Sequence, residues 1–289
     1  MFKSILIRMF TLVIVLGSAC PAWSADKKPS IEIGIAPFLP VKTLAQNYAP
    51  MRAYLEQRLK MPVTFVTAPD YKSFNERTGK HEYPLIITVA NSAYLAWSEY
   101  GYIPLLRPVI YTRPVLVVSK NQNIASLKEL RGKTIGMSDA LAVVSMQGMQ
   151  MLREAGLESG QDVTIKNMQN HGAAINLVIA GDVAAAIVSD RALIQLPAAT
   201  QDSVKIIQTW ERGAVPGIIY LGSPDLPREK IEALSQAILE YARDVPEGIA
   251  LMKRLGYGGL APIDLAELRT YEPYGVLLKE AMAKASSKQ

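Results

Sequence analysis

Thr134-Ile135-Gly136-Met137-Ser138-Asp139-Ala140-Leu141-Ala142-Val143-Val144-Ser145-Met146-Gln147-Gly148 reads as a strand running into a helix. The run at 134–137 is short and mostly apolar, and Ser138 and Asp139 offer side-chain oxygens to a helix start. Leu141, Val144, Gly148, Leu152 and Ala155 then recur at helical spacing until Gly156 stops the pattern. The same unit repeats along the chain. Ile- and Val-rich runs predict strands at 31–36, 63–68, 85–90, 115–119, 134–137, 164–167, 183–188, 205–209 and 217–221. Between them, helices are expected at 50–60, with Pro50 in the first turn, at 173–180, and in the tail at 228–243, 248–255 and 265–284. Short apolar strands alternating with amphipathic helices make an α/β protein with largely parallel sheets.

No repeat or low-complexity linker divides the chain into consecutive halves. Instead, strand-like segments at 111–119 and 210–221 flank the middle block. A chain that leaves one lobe, builds a second and returns gives two α/β domains joined by a hinge of two crossings. Lobe 1 is then 26–113 with 216–289, and lobe 2 is 114–215. A cleft on such a hinge is a ready ligand site that closes by rigid-body motion.

Ahead of these elements, Lys3 and Arg8 precede the apolar run from Met9 to Leu16, followed by the small residues Gly17, Ser18 and Ala19. The run is about half of the ~20 residues a spanning helix needs, so residues 1–25 read as a secretory signal peptide cut after Ala25 or Ser24. An alternative takes Leu16 to Cys20 as a lipobox, with Cys20 as a lipid anchor. Either reading places the protein in the periplasm. Cys20 is the sole cysteine, so cleavage after Ala25 leaves no thiol for a disulfide, a metal or a nucleophile. The chain has 31 basic residues, two of them in the leader, against 26 acidic ones. That balance, interleaved as in Arg52, Glu56, Arg58 and Lys60, is not the gathered basic patch of a nucleic-acid reader.

Several stretches taken in order resemble the phosphate/phosphite/phosphonate-binding family of ABC-transporter periplasmic proteins. They include Ile33-Gly34-Ile35, the helix with Tyr54-Leu55, Ala68-Pro69-Asp70-Tyr71, Ala93-Tyr94, residues 126–135, His171 before a helix, Ser189-Asp190 and Val215-Pro216-Gly217. The resemblance implies the two-lobed type II periplasmic-binding-protein fold, delivery of a small-molecule ligand to an inner-membrane permease, and an oxyanion held by helix N-termini and hydroxyls. A periplasmic sensor subunit serving a membrane histidine kinase is the alternative. This chain departs from the family pattern at its ligand loop. Asp139-Ala140-Leu141-Ala142-Val143-Val144-Ser145 stands where phosphonate binders carry a Ser-Thr-Ser-Gly run, and Gly172 replaces the acidic residue of aminophosphonate binders.

The candidate ligand contacts are Asn91, Ser92 and Tyr94 after a buried strand, Ser138 and Ser145 around the altered loop, His171, Asp190 and Arg113. Each has a structural alternative. Asn91, Ser92, Ser138 and Asp190 can be helix caps, Tyr94 can be packing, Arg113 a surface charge, and His171 a core histidine. Phe38 and Tyr48 are read as core packing, with lining of the cleft as the alternative. Catalysis finds no support: there is no Gly-x-Ser-x-Gly elbow, phosphate-binding Lys loop, His-Glu-x-x-His or Gly-x-Gly-x-x-Gly motif. With only two histidines, His81 and His171, no metal or other cofactor is expected, and the protein is expected to be a monomer.

Overall fold

The computed structural model describes residues 30–286, so the leader and Cys20 lie outside the described residues. The chain begins with β1 (Ile31–Ile35), α1 (Val41–Leu59), β2 (Val63–Thr67), α2 (Tyr71–Gly79), β3 (Leu85–Thr88), α3 (Ala90–Tyr100) and β4 (Ile103–Pro108). It crosses into β5 (Pro114–Ser119), β6 (Thr134–Met137), α4 (Val143–Glu154), β7 (Thr164–Asn167), α5 (His171–Ala180), β8 (Ala185–Ser189), α6 (Asp190–Ile194), α7 (Ala198–Asp202) and β9 (Val204–Thr209). It returns through β10 (Ile219–Gly222), α8 (Arg228–Asp244), α9 (Pro246–Leu255), β11 (Leu260–Pro262), α10 (Leu265–Arg269) and α11 (Glu272–Ser286).

Two sheets result. The first has the order β11-β4-β10-β3-β1-β2 and the second β7-β6-β8-β5-β9. In the first, β1 pairs in parallel with β2 and β3, while β10 returns antiparallel to both β3 and β4. In the second, β6 is parallel to β7 and β8, and β5 is antiparallel to β8 and β9. The central strands β3 and β8 are buried at every position, which is why they appear in the sequence as unbroken apolar runs. The two crossings lie side by side. Thr112 and Val215 form an antiparallel bridge between them, with N–H···O distances of 2.8 and 3.0 Å.

Five expectations need correction. The sheets are mixed instead of largely parallel, because β5 and β10, the strands that follow the two crossings, run against both their neighbours, and β11 runs against β4. Helix α1 starts at Val41, not Pro50. Leu44, Asn47, Tyr48, Met51 and Leu55 bury one stripe along its whole length, and that burial outweighs the ~3 kcal/mol cost of Pro50 inside the helix. Ser138 and Asp139 do not open α4; Asp139 instead folds a turn by accepting from Leu141 N at 2.8 Å, and the helix begins at Val143. The tail helix divides into α10 and α11, because Pro273 in the first turn of α11 has no N–H to return into α10. Strands β4 and β11 were masked by their prolines, Pro104, Pro108 and Pro262.

One apolar core runs through both lobes. Leu141, Ala142, Val143 and Val144 of the second lobe belong to the same buried cluster as Phe38, Leu39 and Val89 of the first, whereas Met137, Met151 and Ile187 form a separate core behind the second sheet. The lobes are therefore closed upon each other. Among the described residues no helix is long and apolar enough to cross a membrane.

Candidate functional site

The strands β1, β3, β6 and β8 end at the interlobe face, where open α/β sheets present ligand crevices. A cavity lies there between Phe38 and Val89 of the first lobe, Val143, Val144, His171, Ser189, Arg191, Ala192 and Gln195 of the second, and Thr112, Gly217 and Tyr257. It is small: the centre of a water-sized sphere has about 20 Å³ in which to move. Larger grooves exist, of about 680 Å³ beside Ile103 and Pro224 and about 410 Å³ between α4 and α11. Both open to solvent, and the helix starts described next converge elsewhere, on the small cavity.

Three helices of eight residues or more begin at that cavity. Val89 precedes α3, Val143 and Val144 open α4, and His171 opens α5. Neither α3 nor α4 has a side-chain cap, since Val89 and Ala142 occupy the cap positions. By contrast α5 is capped by Asn170 Oδ1, which accepts from Ala173 N at 3.0 Å, as α2 is by Asp70 and α10 by Asp264. Uncapped N-termini leave N–H groups and the positive end of the helix dipole facing the cleft. The cavity's walls otherwise supply little polarity that is unengaged. Thr112 Oγ1 and Ser189 Oγ lie 2.5 Å apart, and Gln195 Nε2 donates to Leu255 O and Tyr257 OH at 3.3 and 3.4 Å.

His171 is the exception. It is 3 % exposed, and among the described residues its Nδ1 has no hydrogen-bond partner. Burial lowers its pKa to about 4, so the imidazole is neutral near pH 7. Its backbone N–H donates across the cleft to Phe38 O at 3.3 Å. Close by in the same core, the Tyr48 phenol is pushed up by burial and by the neighbouring Tyr257 and Tyr220.

The other sequence candidates fall into three groups. Asn91 and Ser92 sit at the start of α3 and are buried; Asn91 Nδ2 donates 2.8 Å across the cleft to Leu141 O, and Ser92 Oγ has no hydrogen-bond partner among the described residues. Arg113 and Asp190 belong to the hinge. Asp190 accepts from Thr112 Oγ1 at 2.8 Å, Arg113 N at 3.0 Å and Arg113 Nη2 at 3.3 Å, and Arg113 also grips Glu211 at 2.9 Å. Ser138 and Ser145 are 3.0 Å from each other, and Ser145 lines the groove under α11 instead of the cleft. Tyr94 also turns to α11: it packs edge-on to Trp97, and a side chain at Gly275 would collide with its ring. Sequence reasoning passed over Thr112, Gln195 and Tyr257 and read Arg191 as a surface charge. Only Tyr257, set among Gly256, Gly258 and Gly259, carried a visible signal.

A family model described as the periplasmic substrate-binding protein of phosphonate ABC transporters matches residues 33–268. The chain belongs to that family. It is thus a periplasmic substrate-binding protein by kinship. No curated protein sequence matches significantly. Solved structures show the fold. A binding protein of an ABC phosphonate transporter from Pseudomonas aeruginosa superposes with a TM-score of 0.75 at 16% identity, covering 90% of this chain and 98% of that one. A PhnD-type protein from Prochlorococcus marinus in complex with methylphosphonate gives 0.74 at 15% identity over 86% and 98%. The aliphatic sulphonate binding protein SsuA from Escherichia coli gives 0.59 at 18% identity over 87% of each chain. These are type II periplasmic binding proteins, and this family member shares their architecture.

Proposed function

We propose that this protein captures a compact anionic solute in its interlobe cleft and hands it to an ABC permease, with lobes bounded at 113/114 and 215/216. The observation that carries this reading is the meeting of uncapped helix starts at α3 and α4 with an unpartnered, buried His171 Nδ1 in one cavity. Backbone N–H groups bind a small anion without needing a side-chain cation. Arg191 supplies a formal positive charge to the cavity's wall.

The loop that a hydroxyl-rich site would use is apolar here. Val143 and Val144 offer only their backbone N–H groups, and Ser138 and Ser145 satisfy each other. A hydrogen bond to a charged group contributes roughly 1.5–3 kcal/mol, so lacking two weakens phosphonate binding by about two to four orders of magnitude. Ligands with lower hydrogen-bond demand, or with a small apolar part against the valines, lose less. Gly172, where the resemblance expects an acidic residue, is not in the wall of the closed cavity and carries no part of this selectivity.

A calorimetric panel of phosphate, phosphite, methylphosphonate, 2-aminoethylphosphonate, sulfonates and neutral solutes tests the reading. Weak phosphonate binding beside a tighter member of the panel is the expected pattern. Sub-micromolar binding of 2-aminoethylphosphonate refutes the argument from the valine loop.

A further inference from the structure

Among the contacts that join the lobes, one leaves no room for a side chain. Gly172, in the first turn of α5, faces Pro40, the residue before α1. A Cβ placed at Gly172 would lie 3.0 Å from Pro40 Cγ and 3.2 Å from Pro40 Cδ, with Leu196 Cδ2 also at 3.2 Å. Those approaches are tighter than ordinary van der Waals contact, and a proline ring cannot swing aside as a long side chain can. The neighbouring His171 N–H reaches Phe38 O only because the two segments come this close.

From this we propose that Gly172 and Pro40 form the mechanical stop of closure, and that Gly172 thereby determines the size of ligand the closed cleft accepts. The argument rests on the cleft being the ligand site, as proposed above. With the stop set by a glycine, the cavity closes to about 20 Å³ for the centre of a water-sized sphere, room for one or two water-sized groups. A ligand of a few heavy atoms lets the lobes meet. A larger one holds Gly172 away from Pro40 and forfeits the interlobe bonds from His171 N and Asn91 Nδ2. A side chain at 172 would have the same effect from the protein's side, propping the lobes apart. Gly172 is not in the cavity wall, so the substitution changes closure and leaves the lining intact.

The test uses the mature chain with spin labels at Gln57→Cys and Asp182→Cys, exposed sites at the far ends of α1 and α5. Gly172→Leu is expected to lengthen the interlobe distance beyond the wild-type distribution. Adding Pro40→Ala, which removes the two ring atoms that would be struck, is expected to shorten it again. This rescue separates a stop from general damage to the fold. In parallel, wild-type affinity for n-alkylphosphonates should fall steadily from methyl to butyl, and Gly172→Leu should flatten that series. If Gly172→Leu reduces the closed population tenfold, its affinity for the smallest binder falls about tenfold too. An unchanged distance in Gly172→Leu, or no recovery with Pro40→Ala, overturns the stop. A size series with the same slope in wild type and Gly172→Leu overturns its role in ligand choice. Wild type that binds no small solute of any kind, while the distances respond as described, upholds the stop and contradicts the ligand-site reading.

Discussion

His171 ties the site's chemistry to pH. Its imidazole would titrate near 6.5 when exposed and at about 4 when buried in the closed protein. Between those values the unfolded chain holds a proton that the folded chain lacks. Stability from this group is therefore complete above about pH 6.5 and declines as pH falls toward 4, by up to about 1.4 kcal/mol per pH unit. Urea unfolding of wild type and His171→Gln between pH 7.5 and 5 should show the slope in the former and a flatter profile in the latter; equal slopes would mean that the imidazole is not buried neutral. A second residue-scale expectation concerns Val144. Val144→Thr is nearly isosteric and adds one hydroxyl at the uncapped start of α4. It should raise methylphosphonate affinity by about ten- to a hundredfold by calorimetry. At this scale the sequence was only partly informative. A lone histidine before a helix could be singled out, but Gln195 and Tyr257 reach the cavity through a fold that brings 195 and 257 together, and no local pattern encodes that.

Among the elements, the hinge is where sequence candidates and structure diverge most usefully. Arg113 and Asp190 are adjacent to the cleft by topology, yet their charges hold the crossing together. The Asp190 carboxylate has a side-chain exposure of 12% and accepts four hydrogen bonds, from Thr112 and from the backbone and guanidinium of Arg113, so Asp190→Ala should cost about 1–3 kcal/mol of stability. Glu211, at 69%, is a solvated partner, and Glu211→Gln should change stability by less than about 0.5 kcal/mol. Chemical denaturation of the two variants checks the contrast, and equal losses would contradict it. Strands such as β5 and β8 were legible because full burial leaves an unbroken apolar run. Helix α1 was misplaced because Pro50 looks like a helix start, when the buried stripe that fixes the helix begins at Leu44. The order β7-β6-β8-β5-β9 is set by long-range pairing and had no signature in any single segment.

For the whole molecule, the shared core makes closure an apolar event as well as a polar one. Leu141 to Val144 leave the first-lobe core when the cleft opens, so opening exposes apolar surface, and a bound solute must stabilise the closed form by its own contacts. Small-angle scattering should show a smaller radius of gyration when a bound solute saturates the cleft, and an unchanged radius would contradict closure driven by the solute. The central claim is that one small solute is held between the lobes, and native mass spectrometry of gently purified protein addresses it most directly. Wild type should retain a low-mass adduct that Ala192→Trp, which fills the cavity from α6, does not. An adduct kept undiminished by Ala192→Trp, with that variant folded, would place the ligand elsewhere and contradict the account.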